Sequence, residues 1–154
     1  MKKLFLLAAA PLTLASCGLI GLPQSLDVSG SVLGTPPAGT VRLALVGANA
    51  SGVVQDGSQQ AAITLSPSDK RYAVDLPADW KQKDGYYNVV AYVDADNDGM
   101  YDAGEQSTSH QGSYLVYDVD GQNALISGIR AGLNEVKGTT AVQWGKIGGY
   151  DLTW

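Results

Sequence analysis

Several segments of this chain alternate apolar and polar residues one for one, and they are separated by stretches rich in Gly, Pro, Asn, Asp or Ser. A period of two turns one face of a segment toward a core and the other toward water, which predicts β-strands joined by turns. Leu26 to Val32 (LDVSGSV) alternates, Leu33 to Gly39 (LGTPPAG) is rich in breakers, and Val41 to Val46 (VRLALV) resumes with Val41, Leu43 and Leu45 on one face. These two segments are expected to be neighbouring strands. Gly47 to Gln60 reads as a long connection with one short strand at Val53-Val54. Ala61 to Leu65 and Arg71 to Leu76 read as a hairpin turning at Ser66-Pro67-Ser68-Asp69. Pro77 to Trp80 suggests one helical turn. Asp84-Gly85 then leads into Tyr86 to Val93 (YYNVVAYV), the strongest strand candidate because of its aromatic and β-branched content.

Ser113 to Val119 (SYLVYDV) is again strand-like, and Asp118 to Asn123 reads as a turn. Ile126, Ile129, Leu133 and Val136 fall at spacings that suit one helical face. Gly128 and Gly132 inside that run each cost about 1 kcal/mol relative to Ala, so short strands or irregular structure compete with a helix. Thr139 to Trp144 and Tyr150 to Trp154 are β-rich, and the face shared by Tyr150, Leu152 and Trp154 is expected to close the core. About seven to nine short strands with hardly any helix predict an all-β protein, an antiparallel β-sandwich.

The strand at 86–93 runs straight into Asp94 to Glu105, DADNDGMYDAGE. Asp94, Asp96 and Asp98 alternate, Gly99 follows, and Asp102 and Glu105 complete the twelve. A hard divalent cation takes oxygen ligands, and this spacing supplies them at loop positions 1, 3, 5, 7, 9 and 12. The metal ligands are therefore expected to be Asp94, Asp96, Asp98, the carbonyl of Met100, Asp102 and Glu105, and the cofactor calcium. Asp, Asn and Gly are also common turn residues and form acidic turns without any metal. Against that, a third of the chain's 15 acidic residues crowd here, where mutual repulsion opposes a compact loop unless a cation sits among them. The loop resembles an EF-hand loop in ligand spacing, yet neither flanking helix is present in the pattern. That setting predicts a clip between strands rather than a sensor.

At the other end, Lys2-Lys3 and the apolar run Leu4 to Leu14, too short to span a bilayer, read as a secretion signal over residues 1–16. Leu14-Ala15-Ser16-Cys17 resembles the lipobox of bacterial lipoproteins, which implies cleavage before Cys17 and its lipidation, with attachment to a membrane. Gly18 rather than Asp after the cysteine, read by the same resemblance, implies the outer membrane where the organism has one. Residues 17–25 then form a tether and 26–154 a single domain, with the calcium loop at 94–105. Cys17 is the chain's one cysteine, so no internal disulfide is available and stability must come from packing, to which a bound metal would add. The net charge of −5 becomes more acidic once Lys2 and Lys3 leave, which argues against nucleic acid as a partner.

Val89 to Glu105, VVAYVDADNDGMYDAGE, resembles the strand and metal loop of prealbumin-like sandwiches, including the calcium-binding B repeats of bacterial surface adhesins. Val28 to Val32 (VSGSV) resembles their first strand. The resemblance implies a prealbumin-like or immunoglobulin-like sandwich and the same ligand set. It does not carry adhesion with it, since there are neither tandem repeats nor a wall-anchoring sequence. No catalytic motif is visible, and the single His110 sits in a Ser/Thr/Gln context that suits a solvated side chain, so no catalytic residues and no enzyme activity are expected. The expected role is a structural or assembly part of the cell envelope, with an envelope protein or polysaccharide as partner. The rival is a carbohydrate-binding or other ligand-binding module that uses Trp80, Tyr101, Tyr114, Tyr117 and Trp144 if they are exposed; a hydrolase ranks last.

Overall fold

The computed structural model describes residues 26–55, 59–63, 70–102, 104–108 and 112–154. The signal segment, Cys17, the tether up to residue 25, the turn at 66–69 and His110 lie outside the described residues.

The chain folds as a β-sandwich of two unequal sheets. The strands are β1 (Val28–Leu33), β2 (Thr40–Ala48), β3 (Gln60–Ile63), β4 (Arg71–Val74), β5 (Gly85–Asp94), β6 (Ser113–Asp118), β7 (Gly132–Lys137), β8 (Thr140–Trp144), β9 (Ile147–Gly148) and β10 (Leu152–Thr153). The larger sheet has the order β3-β2-β5-β6-β7-β8, antiparallel throughout. The smaller sheet is built on β1, which pairs antiparallel with β4 and parallel with the two C-terminal pieces β9 and β10. One turn of 3-10 helix, Trp80–Gln82, precedes β5 and stacks Trp80 on Tyr87 at 4.9 Å between ring centroids.

Between the sheets lies the main core, with Val28, Val32, Leu43, Leu45, Tyr87, Val89, Leu115, Leu133, Ile147 and Leu152 among its members. Burial of each such side chain is worth about 1.5–3 kcal/mol relative to exposure. The outer face of the larger sheet is also covered. Val54 and Tyr101 pack on Ala44, Val46, Val90 and Tyr92, and Ile126 joins Tyr114, Val116 and Val136, with Ile129 packed against them. Cover on both faces explains why Tyr86 to Val93 is nearly continuous in apolar residues rather than alternating.

Two expected pairings do not form. β1 and β2 lie in opposite sheets, because the breaker-rich connection at 34–39 carries the chain from one layer to the other. β3 and β4 likewise separate, β3 pairing with β2 and β4 with β1, so the two strands lie in different sheets and do not pair as a hairpin. A period of two fixes which face is apolar but not which strand lies beside it. The helical spacing at 126–136 is met without a helix: Ile126 and Val136 cover the outer face of the large sheet while Leu133 points into the core.

The C-terminal segment closes the sandwich as expected. Tyr72 donates its hydroxyl proton to the Tyr150 carbonyl, and the Tyr150 hydroxyl shares its one proton between Asn88 Oδ1 at 2.9 Å and the Ser113 carbonyl at 3.2 Å. Gly30 is required where Tyr150 crosses β1, because a Cβ there would lie 2.2 Å from the Tyr150 carbonyl oxygen.

Candidate metal centre

β5 pairs with β2 from Tyr86 to Asp94 and with β6 only at Gly85 to Tyr87, so on the β6 side its C-terminal half is free to take another neighbour. The return limb of the 94–105 loop fills that place. Val93 N donates to the Gln106 carbonyl at 2.9 Å, Thr108 N to the Ala91 carbonyl at 2.8 Å, and Ala91 N to Thr108 Oγ1 at 3.0 Å. The loop is thus a hairpin tip whose entry is a strand and whose exit is extended backbone.

Within the tip, short side chains fold the backbone around themselves. Asp98 N donates to Asp96 Oδ1 at 3.2 Å, Met100 N to Asp98 Oδ1 at 2.7 Å and Gly99 N to Asp94 Oδ2 at 3.2 Å. Such side-chain turns are the usual device of Asp in tight loops. Gly99 has φ +81°, and a Cβ there would meet nothing closer than Arg42 Cζ at 4.0 Å, so conformation rather than space demands the glycine. The tip is tied to β3 by Gln60, whose amide accepts from Tyr101 N at 2.8 Å and donates to the Tyr101 carbonyl at 2.6 Å. Tyr92 donates to the Gly99 carbonyl at 2.9 Å and meets the Tyr101 ring edge-on at 5.5 Å. Burial, with the nearby Asp94 charge adding, raises the Tyr92 phenol above its ordinary value.

Of the expected ligands, the structure brings together the carboxylates of Asp94, Asp96 and Asp98, with oxygen atoms within 4.8 Å of one another. Glu105 is not in that group. It spans the two ends of the loop, accepting from Ala95 N at 2.8 Å and Asp102 N at 3.0 Å. Asp102 is exposed, and its carbonyl accepts from Glu105 N at 3.2 Å. Met100 leaves its side chain exposed, consistent with a residue that would contribute only its carbonyl.

Whether these residues suit a cation turns on Asp94. It is 2% exposed, its side chain is fully enclosed, and its Oδ1 has no hydrogen-bond partner. A buried carboxylate oxygen without a donor is costly, and the Asp94 carboxylate is clustered with two further carboxylates. A hard cation is what that arrangement of donors fits. The sequence pattern missed two residues of the centre, Arg42 and Gln60. Arg42 reads as an ordinary outward residue of β2, and only the pairing of Val41 with Val93 reveals that it reaches Asp94.

The aromatic candidates disperse. Trp80 and Tyr114 are buried, Tyr101 and Tyr117 are partly buried, and Trp144 alone of the five is exposed, with the Arg130 guanidinium 3.8 Å over its ring. Two surface cavities lie away from the loop, one of about 360 Å³ beside Glu135, Lys137 and Tyr150, the other of about 500 Å³ beside Tyr86, Tyr114 and Leu125. Compared with protein-family models, with curated proteins and with solved structures, the chain shows no match.

Proposed function

We propose that this chain is a lipid-anchored envelope protein whose β-sandwich is stiffened at one end by calcium, and that it serves as a structural or assembly part of the cell surface. The observation that carries the metal reading is the buried carboxylate of Asp94, whose Oδ1 has no hydrogen-bond partner, clustered with those of Asp96 and Asp98. In this reading Asp94, Asp96, Asp98, the Met100 carbonyl, Asp102 and Glu105 hold the ion, whose positive charge offsets the repulsion among the five carboxylates.

The consequence is mechanical. The loop joins β5 to its return limb and, through Gln60, to β3, so neutralising the loop fixes three neighbouring pieces of backbone. The anchoring half of the proposal rests on the Leu14 to Cys17 pattern, which attaches the domain to the membrane through a lipidated Cys17 and the tether 17–25. A carbohydrate-binding role is less well supported, because among the described residues the aromatic candidates form no shared exposed face and the exposed Trp144 ring has the Arg130 guanidinium over it.

The test is calcium titration by calorimetry of the protein carrying Cys17→Ser, which cannot be lipidated, with thermal melts in calcium and in chelator. One saturable site is expected. At calcium a hundredfold above Kd the stabilisation is about 2.7 kcal/mol, or roughly 10 °C for a domain of this size. Absence of both binding and stabilisation would remove the calcium assignment.

A further inference from the structure

The two oxygens of the Asp94 carboxylate have unequal surroundings. Oδ2 accepts from Arg42 Nε and from Gly99 N, while Oδ1 is buried with no hydrogen-bond partner, and the carboxylate as a whole sits beside those of Asp96 and Asp98. Thr40 stands opposite Asp94 and Arg42 opposite Tyr92, so Arg42 and Asp94 are diagonal neighbours on one face of the β2/β5 pair. Asp94 is fully enclosed and Arg42 is 45% exposed. Enclosing a lone carboxylate is costly, and a guanidinium cannot relieve that cost by losing its proton.

We propose that Arg42 is the resident counter-cation of the calcium loop, offsetting the enclosed charge of Asp94 so that the tip stays folded in the absence of metal, and limiting how tightly calcium is held. The proposal rests on the calcium reading above and assigns to that site a residue that sets its affinity. Arg42 and the ion do not compete for an oxygen, since the guanidinium takes Oδ2 and leaves Oδ1 open. They interact through charge: a fixed positive group beside the site repels an entering divalent cation, and the repulsion weakens with salt because Arg42 is partly in water. The same contact supplies in advance part of the neutralisation that calcium would otherwise provide. Loop order in chelator and affinity for calcium are therefore linked in opposite directions through one side chain.

The experiment compares the Cys17→Ser protein with the same protein carrying Arg42→Gln or Arg42→Lys. Gln retains an N–H donor for Oδ2 and loses the charge; Lys retains the charge. Calcium titrations at low and high salt are paired with melts in chelator. Arg42→Gln is expected to bind calcium about tenfold more tightly at low salt, with the difference shrinking as salt rises, and to melt lower in chelator. Arg42→Lys is expected to bind like the parent. A Gln variant that folds only in calcium also supports the proposal. Unchanged or weaker binding by Arg42→Gln, with the parent binding normally, overturns it and leaves Arg42 as an orienting contact. If the parent itself binds no calcium, the calcium reading fails first and the role of Arg42 falls with it.

Discussion

Tyr150→Phe isolates one buried hydroxyl at the point where the C-terminal segment locks the two sheets. Its phenol donates to Asn88 Oδ1 at 2.9 Å, and Asn88 is wholly buried, with its Nδ2 already committed to the Gly52 carbonyl. Removing the hydroxyl leaves Asn88 Oδ1 and the Ser113 carbonyl, 3.2 Å away, without that donor. A buried acceptor left unsatisfied costs about 1–3 kcal/mol, and replacing Tyr by Phe changes almost nothing else in packing. With an unfolding entropy of about 2.1 cal/mol/K per residue over roughly 130 residues, a loss of about 2 kcal/mol lowers Tm by roughly 7 °C. The assay is urea unfolding followed by tryptophan fluorescence, with a thermal melt alongside. Val119→Thr, at an exposed position, serves as a control expected to stay within about 0.5 kcal/mol. A change for Tyr150→Phe no larger than the control's would refute the reasoning, because Asn88 would then have found another donor.

Further outcomes follow from the same geometry. Asp96→Ala and Glu105→Ala are each expected to weaken calcium binding at least tenfold in calorimetry, and each should loosen the loop in chelator at its own amides, seen as faster exchange at Asp98 for Asp96→Ala and at Ala95 and Asp102 for Glu105→Ala. Burial raises the Tyr150 phenol well above the ordinary 10.0, and Tyr72 is raised likewise, each with help from neighbouring negative charge. The folded state thus holds those protons more tightly than the unfolded chain. The stability they contribute is fully present below pH 10 and is lost as pH rises beyond it, so urea midpoints should fall above about pH 10 and less steeply in Tyr72→Phe. Gly30→Ala sets a Cβ against the Tyr150 carbonyl and should lower stability by more than about 2 kcal/mol, whereas Gly148→Ala, with open space at its Cβ, should cost under about 1 kcal/mol by the same unfolding assay.

Particular residues show where the sequence was readable. The Asp94 to Glu105 spacing revealed a candidate cation loop because ligand order along a short loop is a local property, and the glycine at 99 has the positive φ that the motif requires. The strand at 85–94 was equally plain, since its β-branched and aromatic residues favour extended backbone whatever surrounds them. Glu105 was less so. Its place in the ligand spacing does not reveal that, in this structure, its carboxylate holds the loop's own amides at Ala95 and Asp102.

What the sequence determined by itself was local: extended segments, turns, an acidic loop following a strand, and an all-β chain. Periodicity and spacing encode these because each depends on residues close together in the chain. Only the tertiary structure decided partners. It placed β1 and β2 in opposite layers, parted β3 from β4, and ran β9 and β10 parallel to β1. It also brought Arg42 and Gln60 to the loop. Strand pairing joins residues far apart in sequence through backbone hydrogen bonds that every residue but proline can make, so side-chain pattern carries little record of it. The enclosure of Asp94, on which the metal assignment turns, exists only once those strands have met.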